Sequence, residues 1–112
     1  MKYKYYLRPG YKSQDLLIEI FSGAEDECFL TDLLDSISEI NPKVDKMNDL
    51  WMNDEIEIEV SSDIGLLYVS KDIWDLAFIM SDNNQECINK INLILLKDKN
   101  FYKAEVNFED YK

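Results

Sequence analysis

Histidine is absent from this 112-residue chain, and its absence removes a good deal of chemistry. No Ser-His or Cys-His pair can form, so the commonest activated nucleophiles are excluded. Cysteine is scarce too. Cys28 and Cys87 are the only two, too few and too far apart for a disulfide framework, a CxxC pair or a structural zinc site. The usual burial of cysteine makes both expected free, buried thiols. Three glycines, Gly10, Gly23 and Gly65, cannot build a phosphate-binding loop or a dinucleotide fingerprint. Asp82-Asn83-Asn84 lacks the Gly and the terminal Glu of a calcium loop and reads as a helix cap. No motif implies a cofactor or a metal. Long apolar runs are missing as well: a stretch such as residues 93–96 falls far short of the roughly 20 residues that span a bilayer. The first ten residues alternate Lys and Tyr without an apolar h-region. No signal peptide is therefore expected, and the expected location is cytoplasmic.

Positive charge is also in short supply. The chain carries 12 Lys and Arg against 23 Asp and Glu, for a formal net charge of −11. The placement is uneven. Residues 1–12 hold Lys2, Lys4, Arg8 and Lys12 and no acid, whereas residues 13–63 hold fifteen acids against only Lys43 and Lys46. Solubility is served by a net charge of about 2–8 in a small domain, so the excess calls for another explanation. Nucleic acid or an anionic membrane would be repelled by it. A cationic protein surface would be attracted.

What is present suits one domain over residues 1–112, with 46% apolar residues to build its core. Tyr3, Tyr5 and Tyr6 suggest a short strand before the turn Arg8-Pro9-Gly10. Residues 14–21 read equally as helix or strand. Ser22 and Glu25 have capping-box spacing, and Phe29, Leu30, Leu33, Leu34, Ile37 and Ile40 recur at helical spacing until Pro42. Residues 44–53 read as a further helical turn. Glu55-Ile56-Glu57-Ile58-Glu59-Val60 alternates strictly, as a half-buried strand does. A loop around Gly65 returns it as a hairpin over residues 66–70. A strand over residues 76–80, a helix after Asp82 and Gln85, and a last strand over residues 101–108 with Tyr102 and Ala104 facing inward complete the pattern. Tyr68 and Trp74 are expected in the core. The expected fold class is α+β: N-terminal helices followed by a β-β-β-α-β antiparallel sheet, with a single layer of helices on the sheet.

Two acidic arrays stand out. On the expected first helix, Glu25, Asp32, Asp35 and Glu39 share the face opposite the apolar stripe, with no Lys or Arg at i±3 or i±4 inside the helix, since Lys43, four residues after Glu39, lies beyond Pro42. Like charges at that spacing cost a helix a few tenths of a kcal/mol per pair. Glu55, Glu57 and Glu59 share one face of a strand, spaced about 6.8 Å apart in succession. A solvated face that discourages edge pairing is the plain reading of such a row; a docking surface also accounts for its mild cost. Trp51 adjoins these acids and could serve as an anchor, a common role for Trp in interfaces, or as a half-buried core residue. Carboxylate-only catalysis needs two carboxyls about 5–9 Å apart across a cleft, for which a chain this small leaves little room. The chain therefore reads as a binder, not an enzyme.

The C-terminal half resembles the immunity proteins of bacterial contact-dependent growth inhibition and related polymorphic-toxin systems. The residues concerned are the Glu-rich strand, Ser62-Asp63-Ile64-Gly65-Leu66, Val69-Ser70-Lys71-Asp72-Ile73-Trp74, Phe78-Ile79, the helix over residues 83–96, Phe101-Tyr102-Lys103 and Phe108-Glu109-Asp110-Tyr111. The likeness is one of hydrophobic spacing over roughly half of the chain, and it carries over no binding residue. It implies a cytoplasmic protein that neutralises a cognate toxin C-terminal domain, many of which are basic nucleases. On that expectation Asp32, Asp35, Glu39, Trp51, Glu55, Glu57 and Glu59 are the candidate toxin-binding residues. A second reading is an acidic mimic of nucleic acid that inhibits a nuclease or a DNA- or RNA-binding protein, since phosphates recur along a DNA strand at a comparable spacing.

Overall fold

A computed structural model describes residues 2–10, 15–50, 55–72, 74, 76–81 and 84–105; of residues 48–50 and 55 it describes the backbone alone. Strands, not helices, open the chain. Tyr3–Pro9 forms β1 and Leu16–Ser22 forms β2, paired antiparallel. In β2, Ile18 and Ile20 are buried while Glu19 points to the other side. That period of two decides between the open readings of this segment in favour of a strand.

The first helix, α1 (Phe29–Ser36), is shorter than expected and begins later. Ser22 stays in β2, opposite Lys4, so the capping box is not formed. The chain turns at Gly23, whose φ of +96° favours glycine, and a Cβ there would strike the Lys2 carbonyl and the Tyr3 ring. The Asp26 carboxylate then accepts from the Cys28 amide at 2.8 Å, and Cys28, exposed and not buried as expected, occupies the N-cap position. One 3-10 turn, Ser38–Ile40, follows, and Asn41 in the left-handed region with Pro42 behind it ends the run.

Over residues 44–50 the helical turn expected for residues 44–53 is instead β3 (Lys43–Leu50), antiparallel to β4 (Glu55–Ser62); residues 51–53 lie outside the described residues. A bulge between Val44 and Lys46 explains the misreading: the extra residue breaks the alternation that identifies a strand. β4 returns as β5 (Gly65–Lys71), followed by β6 (Ala77–Met80), α2 (Gln85–Lys97) and β7 (Phe101–Lys103). The Asn84 carboxamide oxygen caps α2 by accepting from the Cys87 amide at 3.2 Å.

The result is one seven-stranded mixed sheet, ordered β3-β4-β5-β6-β2-β1-β7, in which β1 and β7 run parallel. This overturns the expected helices-first order and the purely antiparallel sheet. Both helices lie on one face. Their buried residues, Phe29 and Leu33 of α1 and Ile88, Ile91 and Leu95 of α2, close over Tyr3, Tyr5, Ile18, Ile79, Val69 and Ile58. Among the described residues, no helix is long and apolar enough to cross a membrane. The expected parity of the last strand is reversed: Phe101 is buried and Tyr102 is 47% exposed. Trp74, expected in the core, is 73% exposed, and Tyr68 is half-buried on the sheet face that carries no helix.

Candidate functional site

Sheet order turns the charge pattern of the sequence into a spatial one. The acidic middle of the chain supplies α1, the 3-10 turn, β3 and β4, so β3 and β4 stand at one edge of the sheet. The cationic N-terminus supplies β1, next to β7 at the other edge. Lys2, Lys4 and Arg8 therefore lie near Lys103, and far in strand order from Glu57 and Glu59.

The acids of the two arrays do not form one surface. On α1, Asp32 is held by the N-terminus: it accepts from the Tyr3 hydroxyl at 2.6 Å and from Lys2 Nζ at 3.0 Å. The Tyr3 hydrogen bond first, and the Lys2 ammonium second, keep its carboxyl below the usual aspartate range. Lys2 is raised above the lysine range, chiefly through the same hydrogen bond. Burial, reinforced by Asp32, pushes the Tyr3 phenol up to about 12. Asp32 is thus a structural partner of β1. Asp35 is exposed on α1. Glu39 lies in the 3-10 turn, 3.3 Å from Lys90 Nζ of α2; both side chains are well exposed, and such a pair contributes little.

The strand array sits on the opposite side of the sheet. Ile58 and Val60 point under the helices, so Glu57 and Glu59 face away from them. Glu59 stands opposite Lys46 of β3 and Tyr68 of β5, while Glu57 stands opposite Ser70. A lysine directly across a strand pair offsets a glutamate by a few tenths of a kcal/mol, which leaves Glu57 the freer of the two. Glu55 belongs to the same strand by its backbone; its side chain, and Trp51 altogether, lie outside the described residues. The same face carries a more buried pair, Arg8 and Glu19, joined at 2.7 Å.

Two further acids belong to the site. Between the N-terminal end of α1 and the inner face of β3, β4 and β5 lies a half-open, mainly apolar cavity of about 230 Å³. Phe29 and Leu30 wall it on the helix side, and Met47, Ile56 and Ile58 on the sheet side. Asp26 and Glu27 stand at its rim on one side and Lys71 on the other. A shallow polar depression lined by Lys2, Glu25, Asp26, Glu27 and Cys28 adjoins it, sharing Asp26 and Glu27. Lys2 reaches Asp26 only at 3.7 Å, in a solvent-exposed pair. Sequence reasoning singles out neither Asp26 nor Glu27. The signal that marks them is the consecutive run Glu25-Asp26-Glu27 ahead of the apolar helix.

The sheet's β3 edge is guarded. Its bulge twists the strand, and Lys43 and Lys46 are exposed along it, both devices that discourage unspecific strand pairing. Among the described residues no group of three or more Cys, Asp or Glu could hold a metal ion. Compared with known proteins, the chain matches no family model, no curated sequence and no solved structure.

Proposed function

We propose that this protein is an immunity protein, binding and neutralising a basic toxin domain through the acidic β3–β4 end of its sheet. The observation that carries the reading is the set of exposed or half-buried acids gathered there on both sides of the sheet. Glu25, Asp26 and Glu27 lie beside the apolar cavity, and Glu57 and Glu59 lie on the other face of the same strands. Charges of one sign at the end of a small domain speed the approach of an oppositely charged partner and sort it from others. The resemblance of the C-terminal half to toxin-immunity proteins points to the same partner. Asp32 has no part in this reading, since Tyr3 and Lys2 already hold its carboxylate, whereas Glu39, whose exposed pair with Lys90 contributes little, and Asp35 stay candidates.

Association kinetics with a purified basic toxin domain, sought among the products of neighbouring genes, test the proposal. Charge reversal of Glu57 and Glu59 to Lys slows association several-fold at low salt, and the difference shrinks as salt rises. An unchanged rate and an unchanged salt dependence would remove these two residues from the interface. The nucleic-acid-mimic reading is disfavoured by Lys46 of β3, which stands opposite Glu59 and offsets one charge of the row on β4. Competition between the protein and duplex DNA for a basic DNA-binding protein is the outcome that would restore it.

A further inference from the structure

The cavity beside α1 is too small for a metabolite or cofactor, whose pockets usually run from about 300 to 1,000 Å³, and its size suits one large side chain. Its walls are apolar, and Met47, one of them, is 54% exposed. Apolar surface left open beside a run of acids is costly to leave in water, and the fold offers nothing to cover it among the described residues. The polar depression that shares Asp26 and Glu27 begins where the apolar walls end. A hole for a hydrocarbon thus adjoins a polar depression in which Lys2 is engaged by Asp26 and Asp32 while Glu25 and Glu27 face solvent.

From this juxtaposition we infer that the cavity is the anchor point for a loop of a partner protein carrying one large apolar side chain flanked by Lys or Arg. The apolar group inserts between Leu30 and Met47, and the neighbouring ammonium or guanidinium meets Glu25 and Glu27, both exposed. A buried anchor ringed by charge is the usual composition of an interface hot spot. This rests on the reading of the protein as a binder of a basic partner, and it names the place and the residue types that such a partner presents.

Amide NMR titration of the protein with three tripeptide amides tests it: Lys-Phe-Lys, Lys-Gly-Lys and Glu-Phe-Glu. Lys-Phe-Lys is expected to shift Ala24, Glu27, Leu30, Met47 and Ile56, and to bind about tenfold more tightly than Lys-Gly-Lys, the part of a phenyl group's transfer gain that a half-open site retains. Glu27→Lys is expected to weaken Lys-Phe-Lys several-fold, and Met47→Trp, which fills the cavity from an exposed position, to erase the advantage of Phe over Gly. Equal binding of Lys-Phe-Lys and Lys-Gly-Lys, or shifts that map to Glu57 and Glu59 alone, overturns the anchor and leaves the basic-partner reading standing. If neither cationic peptide binds more tightly than Glu-Phe-Glu, both fall together.

Discussion

Gly65 couples the β4–β5 hairpin to the second helix, and replacing it with alanine should unsettle both at once. The residue closes the two-residue turn Asp63-Ile64 with a φ of +120°, a region that side-chain-bearing residues rarely occupy. Forcing alanine into such a conformation costs about 1–3 kcal/mol. A Cβ there would also run into the Asn84 carboxamide. That group donates to the Ile64 carbonyl at 2.8 Å and caps α2 through the Cys87 amide. Losing the cap costs about 1 kcal/mol and losing the hydrogen bond about as much again. Gly65→Ala is therefore expected to destabilise the fold by about 3–5 kcal/mol, a large share of the 5–15 kcal/mol that holds a typical domain together. Urea unfolding followed by circular dichroism measures it, with the change in midpoint read at constant slope. Asn84→Ala alone should cost about 1–2 kcal/mol and, added to Gly65→Ala, almost nothing further, because the displaced carboxamide has already lost its bonds. A Gly65→Ala protein within about 0.5 kcal/mol of the parent, or strict additivity of the two changes, would refute the coupling.

Leu33, fully buried between α1 and the sheet, should lose about 2–5 kcal/mol on substitution by Ala, readable in the same urea experiment; a loss below about 1 kcal/mol would mean that α1 packs loosely. The Tyr3–Asp32–Lys2 cluster should make stability depend on pH at both extremes. Asp32 titrates lower in the folded chain, so its contribution is present above the ordinary aspartate pKa and is lost as pH falls through the depressed folded value. Asp32→Asn should flatten that acid limb. Tyr3, raised to about 12, favours the folded state below the ordinary tyrosine pKa, and this is lost as pH rises through its folded value. Ultraviolet titration should show a phenol that ionises late and that Tyr3→Phe removes.

Legibility in the sequence followed local periodicity and failed where partners came from afar. The alternation of Ile56, Ile58 and Val60 and the cap before Cys87 identify β4 and α2 because each signal is complete within a few residues. β3 is hidden by its bulge, and β2 by a run of apolar residues that serves helix and strand equally. The α1 start is misplaced because Ser22 is claimed by pairing with β1, which no window around Ser22 reports. The same limit applies to the acids. Spacing shows that Asp32 lacks cations nearby in sequence and offers Glu39 only Lys43, beyond Pro42, yet Lys2 and Lys90 reach them across the fold. Nor can spacing show that a helix face and a strand face will end on opposite sides of one sheet. The cavity beside α1 was legible only in part, as three consecutive acids, because its apolar walls come from four separate elements and the turn before α1.

Backbone hydrogen exchange of the protein, alone and in complex with a basic toxin domain that it binds, addresses the acidic end most directly. The expected result is slowed exchange at residues 24–30 and 55–59, with β1 and β7 unchanged. Protection confined to residues 2–8 and 99–103, the lysine-bearing edge, would contradict a docking surface built from the acids.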